Sequence, residues 1–317
     1  MLGFASPSYL AKAGVIGMNK RNLIYIGRNN KRQLYPLVDD KLKTKLITKD
    51  TGIAVPKLLG VARVQQHVRQ LAGFLEPYES FVIKPSRGSG GKGILVIAGR
   101  DGDYYLKPSG QALTLVELQR DVANILSGLY SLGGTPDVAM IEEMVFFDDC
   151  FQGFSYEGVP DIRTICYHGY PVMAMTRLST HCSDGKANLH QGAVGVGLDI
   201  TTGHALRGVQ YDHPVTEHPD TGRVLSELRV PNWLGLLHLA SRCYEVTQLG
   251  YLGVDIVIDR YRGPMLMELN ARPGLAIQMA NGFGLEPRLQ LIDSQRNVPR
   301  NSQERVNFVL SELRLES

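Results

Sequence analysis

Four cysteines, one tryptophan, a small net charge and no long apolar run are the scarcities of this 317-residue chain. Each removes a class of protein. Cys150, Cys166, Cys182 and Cys243 lie at least sixteen residues apart, so neither a C-x-x-C redox pair nor a zinc-ligand spacing exists, and reduced structural thiols are expected. Apolar runs such as Ile94–Ala98 fall far short of the roughly 18–20 residues that span a bilayer, so no membrane span is expected. The N-terminus carries no basic stretch followed by an apolar block, which argues against a secretory signal and makes the cytoplasm the expected compartment. Thirty-four basic against 31 acidic residues leave a charge of +3, too little for a polybasic surface, so no nucleic-acid partner is expected. A composition of 44% hydrophobic and 21% charged residues excludes wholesale disorder. No internal repeat or low-complexity tract occurs.

Glycine is abundant: 34 residues, about 11% against a norm near 7%. It clusters at Gly88–Gly93, Gly192–Gly197 and Gly282–Gly284, where the backbone turns sharply or approaches something closely. The first forty residues predict one or two short helices ahead of any main core. Residues 41–59 read as a basic amphipathic helix stopped by Gly52, then a short strand interrupted at Pro56. Val61–Leu75 predicts a helix, and Phe81–Lys84 with Gly93–Ala98 predict strands joined by the glycine cluster. Thr114 and Glu117 match a capping box, followed by apolar spacing at Leu115, Leu118, Val122, Ile125, Leu126 and Leu129 as far as Gly133.

Val138–Val145 reads as a strand leading to a polar, aromatic-rich loop over 146–158, long enough to carry function. Arg163–Tyr167 with Val172–Leu178 predict a second hairpin, and Val254–Ile258 with Met265–Leu269 a third. Between them a helix runs from Asn232 to Gly250. The last thirty residues predict one weak helix. Helices interleaved with antiparallel hairpins give the fold class as α+β with two lobes, not a doubly wound parallel sheet.

The strongest local signal is IKPSRGSGGKGI, Ile83–Ile94. Its G-x-G-x-x-G is followed by a strand rather than a helix, which excludes a dinucleotide-binding turn, and a Walker A loop fails at Ser86 and Gly93. A glycine hairpin remains. Its free N–H groups could cover a polyphosphate that Lys84 reaches from the strand, and a plain surface hairpin stays the alternative. The second signal is MELNARPGL, Met267–Leu275. Glu268 and Asn270 share one face of a strand and Asp255 can join them across the hairpin; oxygen donors without nearby Cys or His favour Mg²⁺ held with phosphates over zinc. Alone, a solvated carboxylate pair reads as well. A protein kinase is excluded because no H-R-D or D-F-G occurs.

Taken in order over residues 40–285, Asp40-Lys41-Leu42, the IKPSRGSGGKGI loop, IEEMV, DIRTI, NLHQGA, GVDIVID and MELNARPG resemble the ATP-grasp ligases, within them the RimK-like α-L-glutamate ligase homologues. The resemblance implies an ATP-grasp fold of two α+β lobes with the nucleotide between them: a short N-terminal helical segment (1–39) in place of a full preceding domain, a first lobe with the glycine lid (40–140), a second with the metal site (141–292), and a polar tail (293–317). It implies that Lys41 and Lys84 contact ATP phosphates, that Gly88, Ser89, Gly90 and Gly91 form the lid, and that Glu142, Glu143, Met144 and Val145 form the adenine-reading hinge, with Asp149 on the ribose. It makes Asp255, Glu268 and Asn270 the metal triad for Mg²⁺ or Mn²⁺, and places Arg163, Arg177, Asn188 and Arg272 at the reacting carboxylate, with His190 beside them. Each has a plainer reading: Arg163 pairs with Asp161, His190 is structural, and Asp149 solvates a loop.

The implied reaction is ATP-dependent carboxylate–amine ligation through an acyl phosphate, adding glutamate or a similar amino acid to a peptide or small carboxylate. Its partners are then ATP, a carboxylate acceptor and an amine donor, and a homo-oligomer stays open. The alternative is an ATP-binding regulatory module without ligase activity. The loop FFDDCFQGFSYEGVPD is expected to supply acceptor contacts through Phe151, Phe154 or Tyr156.

Overall fold

Antiparallel hairpins frame the molecule. The computed structural model describes residues 6–88 and 90–314 and divides into two units, one of Asp40–Leu46 with Val55–Phe146, the other of Met1–Asp39, Ile47–Ala54 and Phe147–Ser317.

In the smaller unit, β1 (Leu58–Ala62), β2 (Phe81–Pro85) and β3 (Leu95–Ile97) join β7 (Ala139–Glu142) in a sheet ordered β1-β7-β2-β3. A separate three-stranded sheet is built from β4 (Gly99–Asp101), β5 (Tyr104–Leu106) and β6 (Ala112–Leu113). The sequence predicts no strand there, because two- and three-residue strands are too short for a period to register. Phe81, Ile83, Ile97, Leu118, Val122 and Ile141 form the core between the sheet and the helix Leu115–Leu126.

That helix starts as predicted, with Thr114 and Glu117 forming both bonds of the capping box. It ends at Leu126 rather than near Gly133. Gly128 adopts φ +85°, and a Cβ there would lie 2.3 Å from the Thr135 carbonyl oxygen, so the chain leaves the helix at a position that only glycine fills. Leu129 is accordingly 65% exposed. The helix expected over Val61–Leu75 is instead the end of β1 followed by two short helices, Gln65–Arg69 and Leu71–Leu75. Val61 and Ala62 are claimed by Met140 and Ala139 of β7. The basic helix covers Lys41–Thr48, stopping before Gly52, and the strand expected to reach Val145 ends at Glu142.

The larger unit is built on a seven-stranded sheet, β12-β11-β10-β9-β8-β13-β14. Its strands are β8 (Asp161–Tyr167), β9 (Tyr170–Leu178), β10 (Val194–Leu198), β11 (Ala205–Gln210), β12 (His213–Val215), β13 (Tyr251–Asp259) and β14 (Gly263–Asn270). Every pairing is antiparallel. The β8–β9 turn holds His168 at φ 50° and Gly169 at φ 80°, the left-handed pair that a two-residue hairpin demands. β13 is buried along all nine residues, as a strand covered on both faces must be. The helix expected over 232–250 runs Trp233–Thr247 and ends at Gln248, which takes the left-handed conformation.

Both terminal segments contribute more to the core than their composition suggests. Residues 6–40 form several short helical pieces with a π turn over Arg21–Ile26, and they belong to the core: Tyr25, Ile26 and Val38 are buried, and Asn30 exchanges hydrogen bonds with the Tyr251 backbone. Residues 293–317 include the helix Ser302–Glu312, capped reciprocally by Asn301 and Glu304, with Val306 and Val309 fully buried. Its amphipathic face was masked by arginine and asparagine in a short helix. Among the described residues, no helix is long and apolar enough to cross a membrane.

Candidate functional site

In the smaller unit the chemistry gathers on one carboxylate. Glu142 sits opposite Val82 in the β2–β7 register, so Lys84, two residues along, extends on the same face. The Lys84 ammonium lies 2.6 Å from Glu142 Oε2 and the Lys45 ammonium 2.7 Å from Oε1, with the carboxylate side chain only 2% exposed. Burial presses the Lys45 ammonium below its ordinary pKa, with the Glu142 charge opposing. Lys45 is a site residue that sequence reasoning passed over; its signal was the four-residue step from Lys41 along one helix face.

The glycine hairpin is anchored at its root and open at its tip. Lys41 Nζ donates to the Gly88 carbonyl at 2.8 Å, the Arg87 N–H donates to Asp137 Oδ2 at 2.9 Å, and Ser131 Oγ donates to the same oxygen at 3.0 Å. Asp40 accepts from the Leu42 and Lys43 N–H groups and from the Ser86 hydroxyl, so it caps the basic helix and ties it to the hairpin. Gly90 and Gly91 have positive φ with open space around them, which leaves their N–H groups room to approach a ligand. Ser89 lies outside the described residues. Glu143, Met144 and Val145 follow β7; the Glu143 N–H donates to the Lys57 carbonyl at 3.0 Å, and its carboxylate accepts from the Lys57 N–H at 2.6 Å.

In the larger unit, register carries charged groups across four adjacent strands. Asp255 of β13 faces Arg163 of β8 on one side and Glu268 of β14 on the other, while Asp161 of β8 faces Arg177 of β9. Cross-strand partners stand about 5 Å apart, closer than same-face neighbours along a strand. Arg163 therefore pairs with Asp255, not with Asp161: Nε meets Oδ1 at 2.7 Å and Nη2 meets Oδ2 at 2.5 Å. Arg177 forks onto Asp161 and reaches Asp255 Oδ2 at 3.0 Å. The result is an alternating clasp of two guanidiniums and two carboxylates. Asp161 is the second residue that was underestimated, because its place opposite Arg177 emerges only from the strand register.

Burial works against the charge of Asp255, but Arg163 and Arg177 outweigh it and hold its carboxyl down at about 2. Asp40 is also held below the usual carboxylate range: burial raises it, and the Ser86 hydroxyl, the Lys43 N–H and Arg87 together lower it further. Unfolded aspartate titrates near pH 3.9, so below that value the unfolded chain binds protons that the folded chain refuses. Stability from both groups is thus present above about pH 4 and is lost as the pH falls below it, for Asp255 through about 2. Melting temperature measured from pH 7 to pH 2 should fall steeply below about pH 4, with a shallower fall in Asp255→Asn. An unchanged acid limb in that variant would remove Asp255 from the account.

Glu268 and Asn270 lie on the same strand as expected, two residues apart beside Asp255. The set is all oxygen, the chemistry of a hard cation. Asn270 Oδ1 accepts the Arg272 N–H at 2.8 Å and keeps a second lone pair. Asp255 is 4% exposed, with guanidinium N–H groups on both oxygens. The oxygen donors of Asp255, Glu268 and Asn270 suit Mg²⁺ by their chemistry, and Asp255 would have to exchange its arginines for the metal.

The remaining assigned residues have partners of their own. Arg272 lies over the Tyr35 ring at 5.2 Å and 3.6 Å from Asp39. Asp149 pairs with Arg260 on an exposed turn. Asn188 Oδ1 accepts the His190 N–H at 3.1 Å, and His190 lines a cleft of about 230 Å³ with Leu189, Tyr211, Asp212 and Met279. Phe151 and Phe154, expected as acceptor contacts, are buried in the core of their loop, while Tyr156 stacks on His181 with ring centroids 3.5 Å apart.

A family model described as "Sugar-transfer associated ATP-grasp" matches residues 20–294. No curated protein matches. Similar solved structures include the D-cycloserine synthetase DcsG, 14% identical over 96% of this chain and 82% of that one, TM-score 0.45. The D-alanine–D-alanine ligase from Bacillus anthracis is 14% identical over 82% and 67%, TM-score 0.43. The ATP-grasp ligase PsnB, complexed with minimal precursor, Mg and ADP, is 13% identical over 84% of this chain, TM-score 0.45; the match spans 60% of the PsnB chain.

Proposed function

The chain belongs to the sugar-transfer-associated ATP-grasp family, and from that premise we propose that it is an ATP- and Mg²⁺-dependent carboxylate–amine ligase that forms ADP. The observation that carries the proposal is the stripe of Arg177, Arg163, Asp255 and Glu268 across four strands, which sets cationic anion-binding groups beside oxygen donors for a hard metal.

In this reading the γ-phosphoryl group of ATP passes to a carboxylate oxygen, giving an acyl phosphate and ADP. The amine lone pair then attacks the acyl carbon, phosphate leaves with the bonding pair, and the nitrogen loses a proton. Lys84 and Lys41 hold phosphate oxygens, and the Gly90–Gly91 tip closes over them to exclude water that would hydrolyse the acyl phosphate. Arg163 and Arg177 trade Asp255 for the incoming anion, so that their planar forks stabilise charge as it develops. Glu268, Asn270 and Asp255 would hold Mg²⁺ or Mn²⁺, which supplies neutralisation of the phosphoryl charge. The amine donor is glutamate or a similar amino acid. Because the family description speaks of sugar transfer, sugar acids are worth offering as acceptors and amino sugars as amine donors.

The test is ADP release from Mg·ATP, with and without a pool of amino acids, short acidic peptides, sugar acids and amino sugars, alongside hydroxylamine trapping of the acyl phosphate. Stimulation by the pool with hydroxamate formation is expected. Lys84→Ala should weaken ATP binding by roughly ten- to a hundredfold, the effect of losing one charge-assisted bond; wild-type affinity in calorimetry would remove Lys84 from the site. A second reading, an ATP-binding module without ligation, is favoured by one observation, the occupation of both Asp255 oxygens by arginine. It predicts nucleotide binding with no ADP release for any pool member.

A further inference from the structure

The closed end of the β8–β9 hairpin borders a cleft of about 280 Å³, walled by His168, Tyr170 and Tyr244 and by the chain around residues 292–305. Arg296, Arg300 and Arg305 line it, and no aspartate or glutamate does. Their charges are unequally matched. Arg305 is committed at every nitrogen, to Ser241 Oγ, the Arg300 carbonyl and Glu245 at 2.7 Å. Arg296 pairs with Asp293 at 2.7 Å through Nε, donates through Nη2 to Asn29 Oδ1 at 2.9 Å and to Tyr167 Oη at 2.5 Å, and lies over the Tyr167 ring, which leaves Nη1 uncommitted among the described residues. Arg300 has no carboxylate partner among the described residues; it donates to Tyr170 Oη at 3.0 Å and Gln295 Oε1 at 3.1 Å and lies 4.5 Å over the Phe308 ring. Three guanidiniums thus face the two nearby carboxylates of Asp293 and Glu245, and the surplus charge is Arg300.

Those contacts fix the guanidiniums in place before any ligand arrives, which lowers the ordering cost of binding. His168 is pushed down to about 4, mainly by burial and then by Arg296, so at neutral pH it offers hydrogen bonding without charge. The volume lies just below the roughly 300–1,000 Å³ of typical small-molecule pockets, too small for a nucleotide. Along β8, His168 is five residues from Arg163, roughly 16 Å, which separates the cleft from the clasp.

We propose that this cleft is a second anion site, binding the phosphate group of free phosphate or of a small phosphomonoester through Arg300 and Arg296. The Arg300 guanidinium, the surplus charge, suits phosphate oxygens with its remaining N–H groups, and Arg296 adds those of Nη1. The inference stands independently of ligation.

The test is isothermal titration of the full chain, at constant ionic strength, with potassium phosphate and separately with glucose 6-phosphate. Saturable binding is expected, weakened about tenfold or more in Arg300→Gln and unaltered in Lys84→Ala. Tyr170→Phe, which frees Arg300 without removing its charge, should weaken binding less, and it keeps the test alive if Arg300→Gln misfolds. Tighter binding of the ester assigns the site to a phosphorylated metabolite, and equal binding assigns it to phosphate itself. Absence of saturable binding, wild-type affinity in Arg300→Gln, or loss in Lys84→Ala alone would overturn the proposal.

Discussion

Glu142→Ala is expected to lower the stability of the smaller unit by about 3–5 kcal/mol, the cost of leaving a buried charge without its partner. Two ammoniums depend on this carboxylate, Lys45 from the basic helix and Lys84 from β2, and both are largely shielded from water. With the side chain gone, Lys84 and Lys45 face each other across the space it filled. The expected readout is a melting temperature lower by more than about 10 °C, together with weakened ATP binding because Lys84 loses the group that orients it. Glu142→Gln separates charge from shape: an amide still accepts from one lysine but cannot neutralise either, so its loss should approach that of alanine. A melting temperature within a degree or two of wild type for both variants would mean that the lysines reach solvent and that Glu142 does not organise them.

That network shows where the sequence could and could not be read. The three hairpins were legible because each couples β-branched or aromatic runs to a turn whose residues tolerate positive φ, as His168-Gly169 does. The capping box at Thr114 was legible for the same reason, a local bond with a fixed spacing. Register, by contrast, is a long-range property. Arg163 and Asp161 are neighbours in sequence, yet each pairs across the sheet, Arg163 with Asp255 ninety-two positions away and Asp161 with Arg177. No local pattern distinguishes that from a pair along the strand.

Lys45 shows the same limit from the other side. Its residue type and its helix were evident, but Glu142 was read as part of a hinge whose backbone mattered. The structure adds that its side chain is the anchor of two lysines. Phe151 and Phe154 were misjudged because aromatic side chains in a polar loop read equally as ligand contacts or as the small core that holds the loop together. Helix ends were misplaced wherever a glycine outside the apolar period decided them, as Gly128 does after Leu126.

Glu268→Ala should reduce ADP release by about a hundred- to a thousandfold, the range lost when one electrostatic partner of a developing transition-state charge is removed. Its expected effect on stability is small, because Glu268 is only partly buried and the Arg163–Asp255–Arg177 clasp closes without it. That asymmetry is the discriminating feature. Asp255→Ala would strip the shared partner from two largely buried guanidiniums, so its loss of activity would be confounded by about 3–5 kcal/mol of instability. Glu268→Ala leaves the frame standing. Comparing ATP affinity with and without Mg²⁺ sharpens the test: wild type should bind more tightly with the metal, while Glu268→Ala should lose most of that difference and keep its metal-free affinity. If turnover survives the substitution, the oxygen set on β14 is not the metal site. If turnover disappears while the metal dependence of ATP binding persists, Glu268 acts on the acceptor instead, and the search for the cation moves to Asp255 alone.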